Sequence, residues 1–366
     1  MKIFVTGSKG FIGSNLVAVL LDRGHELTTL DTGFYEEGLL YPNGRGIKVQ
    51  HLRKDIRDIE IGDLENHDAI VHLAELSNDP LGQQNEKITY EINHKGSVRL
   101  AELARRAGIE RFVYTSSCSV YGVQNGEDFK TEESETHPQT AYARCKVWVE
   151  RDVGAMADET FSPTFLRNAT AYGPSPHIRF DIVLNNLAGL AYTSREIRMT
   201  SDGTPWRPLV HVLDICEAIA CTLEAPRHVV HNEILNVGHT RENYQVREIA
   251  EIVASAIPGC ELSLGCSDGD SRSYRVSFDK IHEVLPGFQG RRTAREGAER
   301  LSSIFEDIDM TTEVFQFRAF TRLKQLQYLI RTGQIDERFF WRTSSGSRAH
   351  GRSSERTRFV RRPYAI

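Results

Sequence analysis

Tyr142 and Lys146 stand four residues apart in the run Ala141-Tyr142-Ala143-Arg144-Cys145-Lys146. On a helix that spacing puts both side chains on one face. An ammonium beside a phenol favours the phenolate, so Lys146 is expected to pull Tyr142 below its ordinary pKa of ~10. Such a pair can exchange a proton with an alcohol while hydride leaves the same carbon. A solvated Tyr–Lys pair would show the same spacing, so position has to decide. Upstream, a strand-like run ends in Thr115-Ser116-Ser117-Cys118-Ser119-Val120-Tyr121-Gly122. The Ser117 hydroxyl could bond the same alcohol oxygen. Cys118, with an ordinary thiol pKa of ~8.5, is either a second proton carrier or a small residue filling the strand end. Ser119 is no base at neutral pH.

A second cluster lies at the N-terminus. Gly7, Gly10 and Gly13 follow the apolar run 2–6 and precede a helical pattern. Gly7 permits a tight turn, Gly10 lets backbone approach a pyrophosphate, and Gly13 lets helix and strand pack closely. Phe11 and Ile12 stand where a helix N-terminus offers unpaired N–H groups and a positive dipole end to phosphate. The spacing is G-x-x-G-x-x-G, which an ordinary strand–turn–helix would also accommodate. Asp31, closing the second strand-like run, favours a dinucleotide. Its carboxylate can accept the adenosine ribose hydroxyls and would repel a 2′-phosphate, which selects NAD over NADP. A turn cap at Asp31-Thr32-Gly33 is the competing reading. Asp55 and Ile56 would hold the adenine edge, and Leu73 and Ala74 would line the cofactor's middle. Glu75 interrupts an apolar segment and either marks an atypical site or faces solvent. With a nicotinamide in place, Lys146 could also bond its ribose.

The elements between these residues must bring them together. Runs 2–6, 26–30, 47–52, 69–73, 111–116 and 161–166 read as strands, with helical patterns over 12–23, 93–107 and 140–156. Strands alternating with helices imply parallel pairing, because parallel strands need a crossover. Near-continuous apolar strands imply a sheet covered on both faces. The expected class is α/β: a Rossmann-type doubly wound parallel sheet with a smaller C-terminal α/β substrate-binding domain. Residues 1–167 form the cofactor domain, its sheet completed by parts of 205–240, since 234–237 should return to it. Prolines at 174, 176, 205, 208 and 226 punctuate the chain beyond residue 167, and 168–340 is expected to be mostly the substrate domain. Helices are expected over 214–224, 244–256 and 312–331, the last with Val314, Leu323, Leu326 and Leu329 on its apolar side. The Ser/Arg-rich stretch 343–366 predicts a disordered tail, solvated or touching phosphate.

Charged residues make up 26% and hydrophobic residues 40% of the 366 positions, as in ordinary globular proteins. A net charge of −5 creates no field favouring nucleic acid. No apolar run approaches the ~20 residues of a membrane span, and the first seven residues read as strand and turn rather than signal peptide. The six cysteines form no C-x-x-C pair, so neither a metal site nor a disulfide framework is expected. A reducing, cytoplasmic compartment is the expectation.

In order, TGSKGFIG, LDTG, DIRD, VHLAELSNDP, TSSCSVYG, YARCK and RPLVHVLDI resemble the extended short-chain dehydrogenase/reductase family, in its NAD-dependent epimerase/dehydratase group acting on nucleotide sugars. The resemblance covers residues 1–285. It implies NAD as cofactor, a nucleotide-diphosphate sugar as substrate, and a homodimer. By position, Ser117, Tyr142 and Lys146 match the family's catalytic Ser/Thr, Tyr and Lys. Gly7, Gly10, Gly13, Asp31, Asp55 and Ile56 match its cofactor contacts. The segment 167–174 resembles the one that meets the diphosphate-sugar: Thr170 stands near the family's Asn, with Asn168 two residues earlier as contact or turn cap. Arg207 would pair with a diphosphate oxygen, while His211 and Asp214 brace the loop and cap the next helix. Arg272 is a second phosphate candidate or a surface ion-pair partner, and Arg179 beside His177 could reach the substrate.

The family's 4,6-dehydratases carry an Asp-Glu pair after the catalytic Thr, and its decarboxylating members commonly a Glu. Here Cys118-Ser119 stand in those places, which speaks against both. Some epimerases of the family use a Cys in this segment, one residue later than Cys118. What remains is a transient oxidation: Tyr142 takes a proton from a sugar hydroxyl, expected at C4, and the keto-sugar is reduced on its other face. That is a 4-epimerase. The alternatives are a 4-ketoreductase or dehydrogenase, a dehydratase using Cys118, and a non-catalytic NAD(H) sensor or scaffold.

Overall fold

The computed structural model describes residues 1–42, 49–77, 85–123, 128–266 and 273–342. Arg272 and the stretch 343–366 lie outside them. Seven strands make one sheet: β1 (Lys2–Thr6), β2 (Glu26–Asp31), β3 (Gln50–Arg53), β4 (Ala69–His72), β5 (Arg111–Ser117), β6 (Ser162–Asn168) and β10 (Ile234–Val237). Their order is β10-β6-β5-β4-β1-β2-β3, and every pairing in the sheet is parallel. This is the doubly wound Rossmann-type α/β arrangement. The period-2 alternation of β1 divides two cores. Ile3 and Val5 face α1 (Gly13–Asp22) and α5 (Val212–Glu224), whereas Phe4 joins Leu100 of α2 (Ser97–Arg106) on the opposite face. From β1 the chain moves one way to β2 and β3, and from β4 onward the other way. The crevice above the carboxyl ends of β1 and β4 is therefore the switch point where such sheets bind ligands.

After β6 the chain builds a second layer. Strands β7 (Thr170–Tyr172), β9 (Trp206–His211) and β11 (Asn243–Gln245) form a three-stranded sheet in the order β11-β9-β7. A parallel pair joins β8 (Glu196–Arg198) to β12 (Glu261–Ser263). Helices α4 (Val183–Ser194), α6 (Val246–Ala256) and α7 (Ala294–Asp307) pack Leu184, Ile249, Val253, Leu301 and Phe305 into a third core. No helix among the described residues is long and apolar enough to cross a membrane.

The single helix expected over 312–331 is not formed. The segment breaks into a turn of helix (Thr312–Phe315), a 3₁₀ turn (Arg318–Phe320) and α8 (Arg322–Arg331). Aromatic packing outweighs helix continuity here. Phe315 and Phe320 both stack edge-on against Phe180, with ring centroids 4.9 and 5.6 Å away. The Phe320 carbonyl accepts the Phe180 N–H at 2.9 Å instead of a helical donor. Val314 is consequently exposed, while Leu326 and Leu329 are buried against the Rossmann sheet's core.

Candidate active site

A cleft of about 660 Å³ opens over the carboxyl ends of β1, β2, β4, β5 and β6. At its first end lies the glycine turn. Gly7 has φ +72°, and a Cβ there would sit 2.8 Å from the Ala74 nitrogen. At Gly13 a Cβ would fall 2.1 Å from the Gly7 carbonyl oxygen, so this glycine serves packing within the turn itself. At Gly10 the one atom within 4 Å would be the Gly7 oxygen at 3.2 Å, so the protein itself leaves room for a Cβ there. Phe11, Ile12 and Gly13 line the cleft, and α1 starts without a side-chain cap. The Ser14 and Asn15 N–H groups already donate to the Gly10 and Ile12 carbonyls, both at 3.1 Å, so an anion here would meet chiefly the positive end of the helix dipole.

Asp31 caps the turn that follows β2. One carboxylate oxygen accepts the Gly33 N–H at 2.8 Å, a turn cap, and the other accepts the Lys9 N–H at 3.0 Å, tying the glycine turn to β2. Burial pushes its carboxyl up, and these two N–H groups oppose that rise. Asp55 caps the turn Ile56–Asp58 and holds Arg57 in an ion pair at 2.7 Å. Ile56 is buried at the cleft wall. Leu73 and Ala74 donate their N–H groups to Thr6 Oγ1, both at 3.2 Å. Thr6 in turn donates to His72 Nδ1 at 2.7 Å, which fixes the loop after β4.

Tyr142, Lys146 and Ser117 line the same cleft. Helix α3 (Ala141–Gly154) is started by Thr140, whose side chain accepts the Ala143 N–H at 3.1 Å. It brings Lys146 Nζ to 5.3 Å from the Tyr142 ring centroid. Ser117 Oγ accepts the Ser119 N–H at 3.1 Å, which orients the hydroxyl at the end of β5. Lys146 is 3% exposed and faces Glu75 Oε2 at 2.5 Å. Glu75 thus does not face solvent. One turn along α3, Glu150 pairs with Arg167 of β6 at 2.7 Å and accepts the Ser116 hydroxyl at 2.5 Å, riveting the helix to both strands.

Cys118 is a correction. It is 1% exposed, its thiol donates to the Arg167 carbonyl at 3.1 Å, and it packs in the core beneath the cleft. Burial pushes the thiol far up, so it neither reaches the cleft nor ionises. Its neighbour Ser119 does line the cleft, with a hydroxyl that has no hydrogen-bond partner. Asn168 spans two strands: Nδ2 donates to the Ser116 carbonyl at 3.3 Å, leaving Oδ1 buried and unpartnered in the cleft.

Thr170 and Arg207 line the substrate side. Arg207 donates to the Trp206 carbonyl at 2.8 Å, which steadies the guanidinium on β9. His211 Nδ1 accepts the Leu213 N–H at 3.2 Å, and Asp214 pairs with Arg292, so both act as braces. Two cations went unweighted or unseen in the sequence. Arg179 is buried, bound to Asp181 at 2.8 Å and to the Ser77 carbonyl at 3.1 Å. Arg322, at the start of α8 and 2% exposed, lies flat over the Tyr35 ring at 4.0 Å. Burial, with Arg179 nearby, pulls it down to about 10. Nothing local flags Arg322, since it reaches the cleft only through the break before α8.

The NAD dependent epimerase/dehydratase family model matches residues 3–238. A UDP-glucose 4-epimerase of Neisseria meningitidis serogroup C is 31% identical over 267 residues, 66% of this chain and 78% of that protein. A UDP-glucose 4-epimerase of Mycolicibacterium smegmatis is 29% identical over 326 residues, 84% of this chain and 99% of that one. MoeE5, solved in complex with UDP-glucuronic acid and NAD, aligns with a TM-score of 0.72 at 27% identity, over 84% of this chain and 99% of its own. The chain belongs to the NAD-dependent epimerase/dehydratase family and is an NAD-dependent enzyme of the extended short-chain dehydrogenase/reductase type.

Proposed function

We propose that this enzyme is a nucleotide-sugar 4-epimerase working through a transient keto-sugar. The observation that carries this reading is that Tyr142, Lys146 and Ser117 line one cleft, with Cys118 turned into the core and no carboxylate at Ser119. Tyr142 removes the proton from the sugar hydroxyl and later returns it to the same oxygen. Ser117 holds that oxygen through both steps, and Ser119 has an unpartnered hydroxyl for a neighbouring one. Cys118-Ser119 bring no carboxylate to the end of β5, and both oxygens of Glu75 are engaged by Lys146 and Tyr114 rather than offered as a base for an elimination.

NAD, bound along the cleft, supplies a two-electron acceptor that gives back what it takes. The cleft fits it. Gly7 and Gly13 form a cradle that a Cβ would fill, Asp31 closes the adenosine end beside Asp55 and Ile56, and Asn168 Oδ1 is an orphaned acceptor at the reactive end. We extend the cofactor's contacts to Arg179 and Arg322. Both guanidiniums line the cleft, where a diphosphate could pair with them. Asp181 offsets both guanidiniums, and Asp31 offsets Arg322 more weakly. The substrate side falls to residues 168–340, through Thr170 and Arg207, with Arg272 a candidate outside the described residues. The family supports a homodimer, which light scattering would check.

The test is to incubate the protein with UDP-glucose, UDP-galactose or UDP-glucuronic acid, with and without added NADH, and to separate the products. A 4-epimer should accumulate without net change in NADH absorbance. Stoichiometric reduction of added NAD⁺ would instead identify a dehydrogenase, and NADH oxidation on a supplied 4-keto-sugar nucleotide a ketoreductase.

A further inference from the structure

Glu75 stands just past β4, and its side chain is 3% exposed. One oxygen faces Lys146 Nζ at 2.5 Å, and the other accepts the Tyr114 hydroxyl at 2.5 Å. Lys146 also donates to the Thr115 carbonyl at 2.5 Å. Two of the three ammonium protons are therefore committed within the protein, and one remains for a ligand. Because both Glu75 oxygens accept hydrogen bonds, the pair stands as carboxylate and ammonium. Burial pushes Glu75 up and Lys146 opposes that rise. Burial pulls Lys146 down, yet it ends above its ordinary value because Glu75 faces it.

Other titratable groups around the pair contribute little charge. His72, on β4, is held neutral at about 3 by burial and by Lys146. Tyr114, on β5, is pushed well up by burial and then by Glu75, and stays a phenol. Cys145, on α3, is pushed up to about 12 by burial. Arg179, from the segment before α4, reaches Tyr142 electrostatically but is already paired with Asp181. Glu75 is the carboxylate in ion-pair contact with Lys146 among the described residues.

We propose that Glu75 is a positioning residue that pins Lys146 and cancels its charge, and so sets the base strength of Tyr142. This rests on the reading of Tyr142 as the proton-transfer group. An uncompensated ammonium would hold Tyr142 as phenolate. The ion pair instead leaves the phenol able to keep its proton near neutral pH, as the return step on the keto-sugar requires.

The experiment records kcat/KM against pH for wild type, Glu75→Gln and Glu75→Ala with UDP-glucose. Beside it, tyrosinate absorbance is titrated in the NAD-loaded protein, each form taken as a difference from the same form carrying Tyr142→Phe. Activity falls as pH drops through the Tyr142 midpoint, so loss of the carboxylate should move that acid limb down by about one pH unit. One unit below the wild-type midpoint, the variants then keep about fivefold more of their plateau rate. The Tyr142 absorbance step should move equally. A uniform loss of rate with limb and absorbance step unmoved, or a move to higher pH, overturns the proposal. Should UDP-glucose not be turned over, the epimerase reading fails separately, and the absorbance titration still decides the role of Glu75.

Discussion

Alanine at Gly10 and alanine at Gly13 should separate ligand binding from folding. At Gly13 the new Cβ would lie 2.1 Å from the Gly7 oxygen, 2.8 Å from Ser8 Cα and 2.9 Å from the Gly7 carbonyl carbon. All three are backbone atoms, so the turn itself must move to restore an ordinary contact. Overpacking of that kind costs about 1–3 kcal/mol, which in a chain of this size lowers Tm by roughly 1–4 °C. At Gly10 the closest atom is 3.2 Å away, which a shift of a few tenths of an ångström relieves. Gly10→Ala should therefore keep Tm within about 1 °C of wild type, a change of about 0.5 kcal/mol. Its Cβ faces the cleft, where a diphosphate would contact the Gly10 backbone. Loss of that approach should weaken NAD at least about tenfold, or ~1.4 kcal/mol. Differential scanning fluorimetry gives the stability and titration calorimetry with NAD gives the affinity. If Gly10→Ala binds NAD as wild type does, the diphosphate does not lie over this turn. If Gly13→Ala is as stable as wild type, the packing argument fails.

The same geometry leads to three further outcomes. Arg322→Met should weaken NAD about tenfold while Tm stays level or rises, because it replaces a buried cation by an apolar side chain of similar length; unchanged affinity would remove Arg322 from the cofactor site. Arg207→Ala should raise KM for the nucleotide sugar strongly with little effect on kcat, since a diphosphate contact is equal in ground and transition states; an unchanged KM would refute the contact. Cys118→Ala should leave turnover within a few-fold of wild type, because the thiol points into the core, and a loss of several hundredfold would restore it as a proton carrier.

The sheet and much of the site were written in local sequence. Strand–helix alternation specifies parallel pairing, a glycine's lack of Cβ marks a tight turn, and a spacing of four on a helix puts Tyr142 and Lys146 on one face whatever surrounds them. Those are short-range rules, and Gly7, Asp31, Ser117 and Lys146 obey them.

What the tertiary structure decided depends on contacts between distant segments. Adjacent residues at the end of β5 part company: Ser117 and Ser119 line the cleft while Cys118 enters the core, because β5 ends at Ser117 and the 3₁₀ turn that begins at Cys118 carries successive side chains round its axis. Glu75 could have faced either way until β4, β5 and α3 packed together and closed Lys146 and Tyr114 over it. Arg322 gives no local signal; it reaches the cleft because Phe315 and Phe320 preferred Phe180 to an unbroken helix, turning the start of α8 toward Tyr35 and Asp181. Periodicity records which faces are apolar, whereas the partner of a buried charge is fixed only when packing removes its water.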